Sequence, residues 1–171
     1  AMANNIPVAV IMASETDLPV MKPALEMLDE FDVPYELRVM SAHRSPDAVH
    51  EFARTAEERG LKVLIAGASG AAHLAGTLAS LTTLPVIGIP MPTDRMGGMD
   101  SLLSTVQMPR GVPVATMGIG TSGAQNAALL AVQILALSDE QLRQALQGYR
   151  ARLAESVKDA EEHVRKSLRG G

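Results

Sequence analysis

The sequence predicts a three-layer α/β sandwich in which helices cover a central, doubly wound parallel sheet, followed by a long C-terminal helix. Three observations predict it. Five β-prone runs alternate with helix-prone segments, the order that a parallel sheet with crossover helices requires. Most of these runs are apolar on consecutive residues, as strands covered on both faces are. The polar motifs follow strands and precede helices, which puts them at the strand C-terminal ends where open α/β sheets hold ligands.

The first strand is expected over 8–12, all apolar, and a helix follows that Asp17 can cap, with Pro19 in its first turn. A second strand over 35–40 leads to a helix that Ser45 can cap, with Pro46 at its first position. Further strands are expected over 62–66, 86–89 and 113–117. The helix expected over 124–137 has Ala, Leu, Val and Ile around most of its circumference, so a second subunit is expected to cover part of it. From Asp139 the chain turns charged, with Leu142, Leu146, Tyr149, Leu153, Val157, Ala160 and Val164 at three- or four-residue spacing. That is an amphipathic helix over 139–169, placed either on its own domain or on a neighbouring subunit.

At 171 residues and 47% hydrophobic, the chain is expected to form one domain over 1–171, with residues 1–5 as a tail in which Ala1 and Met2 read as a cloning remnant. It has no cysteine, which removes disulfides and thiolate metal sites and fits a cytoplasmic setting. A formal net charge of -4 and only two Phe and two Tyr argue against nucleic-acid binding. The charge-free stretches 63–93 and 111–138 are interrupted by Pro85, Pro90, Pro92 and Pro113 and by the glycines at 118–123, so no membrane span is expected. No spaced His/Asp/Glu cluster suggests a metal and no phosphate-cradling G-x-x-x-x-G-K loop is present, so no cofactor is expected. Gly118-Ile-Gly120-Thr-Ser-Gly123 matches a dinucleotide fingerprint, but it follows the fifth strand and lacks an acid at the end of a next strand. A tight turn into a buried helix explains those glycines as well.

Ser41-Ala42-His43-Arg44 lies between a strand and a helix and pairs an imidazole, which can give and take protons, with a planar, permanently charged guanidinium. These residue types suit acid/base chemistry on a phosphorylated small molecule. A histidine such as His43, taken alone, is more often structural than catalytic, and Arg44 is readable as the partner of a surface carboxylate. Ser14, Thr16 and Asp17 offer hydroxyls and a carboxylate at a helix mouth, and the small residues of Gly67-Ala68-Ser69-Gly70-Ala71-Ala72-His73 let backbone amides approach a planar ring. Asp17 can equally be only a cap, and His73 a loop histidine.

Together with Asp100-Ser-Leu-Leu-Ser-Thr-Val-Gln-Met-Pro109, these four ordered motifs closely resemble the PurE family of purine biosynthesis over residues 6–147. The resemblance implies a flavodoxin-like fold, a homo-octamer, and an N5-carboxyaminoimidazole ribonucleotide (N5-CAIR) mutase. Such an enzyme moves a carboxylate from the exocyclic nitrogen to C4, giving 4-carboxy-5-aminoimidazole ribonucleotide (CAIR) by way of aminoimidazole ribonucleotide (AIR) and trapped CO₂. It also implies His43 as the acid and base, Arg44 with Ser14 and Thr16 on phosphate, and Asp17 on a ribose hydroxyl. Ser41 would hold the migrating carboxylate, Ala68, Ser69 and Gly70 would line the aminoimidazole pocket with His73 nearby, and the 100–109 segment would border the site.

This sequence departs from the family pattern at Ala13 and Ser69, where glycine is usual, at Ala75, where proline is usual, and at Glu15. Two other readings follow. One is an AIR carboxylase that uses CO₂ directly, separable by comparing N5-CAIR with AIR plus bicarbonate. The other is a nucleotide-binding module without turnover, which would be stabilised thermally by ligand yet convert nothing.

Overall fold

The computed structural model describes residues 6–169, so the expected tail at 1–5 lies outside the described residues. Five parallel strands form one sheet in the order β2-β1-β3-β4-β5, with β1 Val8–Met12, β2 Tyr35–Val39, β3 Val63–Ala68, β4 Val86–Pro90 and β5 Ala115–Thr116. The crossovers are α1 Leu18–Glu30, α2 Pro46–Thr55, α3 Leu74–Leu81 and α4 Met99–Val106; α5 Thr121–Ala136 and α6 Glu140–Arg169 follow. This is the flavodoxin-like, doubly wound arrangement, in which strand order reverses at the β1/β3 boundary.

Burial follows strand position. Every residue of β1, β3 and β4 is buried, as their uninterrupted apolar runs require. The edge strand β2 differs: Leu37 and Val39 are 41% and 54% exposed, because only β1 pairs with it. At the other edge, β5 keeps two residues of the expected five. Pro113 has no N–H to give to the ladder, while Met117 N still donates to Gly88 O at 2.9 Å. β3 runs two residues further than expected, so Gly67 and Ala68 belong to the strand.

Neither expected cap forms as drawn. Ser14 caps a short 3₁₀ turn over Glu15–Asp17, and Asp17 returns the bond from its side chain, so the carboxylate closes a capping box ahead of α1 instead of capping α1 itself. Ser45 precedes α2 without a side-chain cap, because its hydroxyl accepts from Ser41 N at 2.9 Å.

The chain divides into two compact units, one ending at Ile134 and the other beginning at Leu135. The first holds the sheet, α1–α4 and most of α5; the second is dominated by α6. On α5, Ala124, Ala127, Ala128, Ala131 and Val132 are buried, while Asn126 and Gln133 are exposed and Leu129 and Leu130 half-buried. Among the described residues no helix is long and apolar enough to cross a membrane.

Candidate functional site

The loops after β1, β2 and β3 meet at the C-terminal edge of the sheet, on either side of the strand-order reversal. Backbone bonds align them: Met40 N donates to Met12 O at 2.9 Å and Ala13 N to Gly67 O at 3.0 Å. Arg44 then ties the second loop to the first, donating from Nη2 to Ala13 O at 2.8 Å. A guanidinium carries five N–H donors, so this bond leaves most of the fork for a ligand. Ser41 Oγ accepts from Arg44 N at 3.2 Å, which fixes the hydroxyl at the start of the turn.

His43 and His73, thirty residues apart, are hydrogen-bonded between Nε2 and Nδ1 at 2.6 Å with their rings nearly perpendicular. One ring must donate and the other accept, so a single proton is held between them and the tautomer of one sets that of the other. Both rings are solvent-exposed. His73 is therefore more than a histidine near the site: it orients His43.

Ser14, Ser41, His43, Arg44, Ser69 and His73 line one cleft of about 200 Å³, with Ala68 on its wall. A second cleft of about 430 Å³ adjoins it through Ser14, Ser41 and Arg44 and adds Glu15 to the lining. Thr16, Asp17 and Gly70 do not line either cleft, Thr16 being exposed and Asp17 buried. Thr16 Oγ1 donates to Ser14 Oγ at 2.9 Å, orienting that hydroxyl. Asp17, 7% exposed, accepts from Ser14 N through Oδ2 at 3.2 Å.

Burial pushes the Asp17 carboxyl above the usual carboxylate range, against the opposing pull of the Ser14 N–H and of Arg44. A carboxyl whose folded pKa exceeds its unfolded one costs stability when charged. That cost is full above the folded value and disappears as pH falls through the unfolded value, about 4. Asp17→Asn keeps an acceptor for Ser14 N–H and cannot ionise. It is expected to be at least as stable as the wild type to urea at pH 7, with the difference gone at pH 4 and below.

Gly70 shows what sequence reasoning missed. It adopts a left-handed φ of 65°, which favours glycine, and both of its backbone polar groups are engaged from behind. Gly70 N donates to Ser101 Oγ at 2.9 Å and Gly70 O accepts from Ser104 Oγ at 3.0 Å. Ser101 and Ser104 are three residues apart on one face of α4, and that spacing was the available signal. The 100–109 segment is thus a clasp on the loop after β3. Ser101 is fully buried, so Ser101→Ala leaves an N–H without its partner and is expected to cost about 1–3 kcal/mol in urea unfolding. Ser101→Thr is the variant expected to retain part of the bond.

The departures at Ala13 and Ser69 bring no backbone strain, since Asp32 is the one non-glycine residue with positive φ among the described residues. Ala75 sits in the first turn of α3, 3% exposed, where a helix accepts alanine as readily as proline.

The sequence pattern of the AIR carboxylase family matches residues 7–156. The chain belongs to that family. Members of the AIR carboxylase family similar to it include N5-carboxyaminoimidazole ribonucleotide mutases from three organisms. The protein of Mycobacterium tuberculosis is 58% identical over 156 residues, covering 90% of this chain and 88% of that one. The Pyrococcus abyssi protein is 57% identical over 143 residues (84% and 81%), and that of Bacillus subtilis 54% identical over 157 residues (92% and 97%). The crystal structure of Treponema denticola PurE superimposes with a TM-score of 0.80 at 25% identity, covering 89% of this chain and 94% of that one. The resemblance read from the four motifs thus holds for the family and for the flavodoxin-like fold.

Proposed function

We propose that this chain is an N5-carboxyaminoimidazole ribonucleotide mutase, converting N5-CAIR to CAIR. The observation that carries the reading is the His43–His73 pair in a cleft shared with Ser41, Arg44 and Ser14, in a chain more than half identical to mutases of three organisms.

The reaction is an isomerisation, and its protons balance at one group. The bond between the carboxylate carbon and the exocyclic nitrogen breaks, its electron pair stays on nitrogen, and CO₂ departs. His43 supplies the proton that nitrogen takes up. C4 of the resulting aminoimidazole attacks the CO₂ carbon, and His43 removes the proton that C4 then carries, returning to its starting state. A group that both gives and takes a proton works best when its two forms are close in energy, which suits imidazole. His73 holds the ring for both steps.

The remaining residues position the substrate. Arg44 presents its unspent N–H groups to the phosphate as a charge-assisted fork, Ser14 adds a hydroxyl held by Thr16, and Asp17 takes a ribose hydroxyl. Ser41 and the loop of Ala68, Ser69 and Gly70 confine CO₂ beside C4, so recombination is effectively intramolecular. No cofactor enters these steps.

Glu15 lines the phosphate side of this cleft and opposes the anion. Glu15→Gln is expected to lower KM for the ribonucleotide by about two- to five-fold, less at high salt, with kcat unchanged, as steady-state rates at two ionic strengths will show.

The assembly is proposed to be a cytoplasmic homo-octamer. Exposed Leu18, Leu37, Val39, Met96, Met99 and Leu103 on the α/β unit support burial between subunits. Light scattering is expected to give a mass several times the 18.0 kDa of one chain; a mass near 18 kDa would remove this part of the proposal.

The family's own description favours one rival, a carboxylase that makes CAIR from AIR and CO₂. The test is ATP-free interconversion of CAIR and N5-CAIR followed by ultraviolet absorbance, beside a parallel reaction of AIR with bicarbonate. Turnover between the two carboxylated nucleotides at the higher rate is expected. Turnover confined to AIR plus bicarbonate would make the chain a carboxylase.

A further inference from the structure

Of the polar side chains in the turn after β2, Ser45 alone has no part in the proposed chemistry, yet its hydroxyl is fully engaged. Its oxygen accepts from Ser41 N at 2.9 Å, and its single proton is directed at Ser41 O at 3.2 Å. Ser45 N also donates to Ser41 O at 2.9 Å, so both backbone groups of Ser41 are tied to Ser45. A serine that precedes a helix ordinarily turns its hydroxyl to the first N–H groups of that helix, which stabilises it. Here α2 begins at Pro46 with no side-chain cap. A residue that forgoes its local preference in this way marks a place where another requirement prevails.

What these bonds hold is Ser41. The chain enters the turn from the sheet, where Met40 N is fixed to Met12 O at 2.9 Å, and leaves it through Ser45 and Pro46, whose ring sets φ. Ser41 Oγ accepts from Arg44 N at 3.2 Å, which leaves its own O–H to donate into the cleft it shares with His43. The phosphate side of the site has separate anchors. The Arg44 guanidinium is tied to Ala13 O at 2.8 Å, and Ser14 Oγ is held by Thr16 Oγ1 at 2.9 Å.

We propose that Ser45 is a positioning residue for carboxylate transfer: it acts through Ser41, bracing that hydroxyl and the His43 ring two residues on, and touches no substrate itself. This role rests on the mutase reading. Once the bond between carboxylate carbon and nitrogen breaks, the CO₂ has two fates. Attack by C4 gives CAIR. Escape gives AIR and free CO₂, with His43 recovering from water the proton it gave to nitrogen. A braced Ser41 keeps CO₂ against C4, whereas a Ser41 free to shift by about an ångström slows the attack and lets escape compete.

Ser45→Ala removes the brace, and Ser45→Thr keeps a hydroxyl that both accepts and donates. In the full-length protein, Ser45→Ala is expected to lower kcat for N5-CAIR by about 10–10²-fold. KM is expected to stay within about three-fold of wild type, because Arg44 and Ser14 keep their own anchors. With N5-CAIR labelled with ¹³C in its carboxylate, Ser45→Ala is expected to retain less label in CAIR and to release AIR, and Ser45→Thr to restore kcat to within about three-fold together with the retention. A loss of stability alone would move neither the split between kcat and KM nor the ratio of products. Hydrogen exchange reads the brace without turnover: the peptide over 40–45 is expected to exchange faster in Ser45→Ala than in wild type or Ser45→Thr. Unimpaired kcat and retention in Ser45→Ala, or unchanged exchange, would overturn this inference alone. A wild type that fails to convert N5-CAIR would overturn the mutase reading and this inference with it.

Discussion

His43→Asn is expected to lower kcat by about 10²–10⁴-fold while the chain folds and binds the ribonucleotide as before. Asparagine fills a similar space and can bond His73 Nδ1, but it can neither give the nitrogen its proton nor remove the one on C4. His43 is exposed, so its replacement is expected to change unfolding free energy by no more than about 0.5 kcal/mol. Equilibrium binding of CAIR, measured beside the rate, separates lost chemistry from lost affinity. Wild-type turnover in this variant would remove His43 from the mechanism.

Gly123→Ala is expected to have the largest effect on folding. A Cβ built on Gly123 would lie 1.6 Å from Gly118 O and 2.6 Å from Gly118 C, and a backbone carbonyl cannot rotate away as a side chain can. Gly120, between them, adopts φ 83°, so the chain doubles back tightly at the start of α5. The variant is expected to lose about 3 kcal/mol or more and to accumulate as insoluble protein. Gly118→Ala is the control: its Cβ meets nothing within 4 Å, and solubility and urea midpoint are expected to stay near wild type. Equal damage from both variants would mean that crowding at Gly123 is not the cause.

The same contact explains why a sequence that matches G-x-G-x-x-G makes a turn here. The glycines supply a positive φ and a close backbone approach, and both are spent within the loop itself. That much was legible, as were β1, β3 and β4, whose apolar runs are long enough to signal burial on both faces. The edges were less so. β2 shares the apolar character of Leu37 and Val39 with central strands, and no local signal says that one side lacks a neighbour.

At the site, the motifs marked the loops, but not what they do to each other. The His43–His73 bond joins residues thirty apart and depends on the crossover through α2 and β3. Ser41 and Ser45 bond each other, so the expected helix cap was lost to a turn that sequence spacing alone does not distinguish. Ser101 and Ser104 read as polar residues of a helix until α4 is seen to lie behind Gly70.

The most direct measurement of the central claim follows the carboxylate itself. N5-CAIR labelled with ¹³C in its carboxylate would be converted by the enzyme in unlabelled bicarbonate, and the CAIR formed analysed by mass spectrometry. A mutase that traps CO₂ beside C4 predicts that most of the label is retained in the product. Label diluted to the level of the surrounding bicarbonate would contradict it, because the carbon would then have left the cleft before bonding to C4.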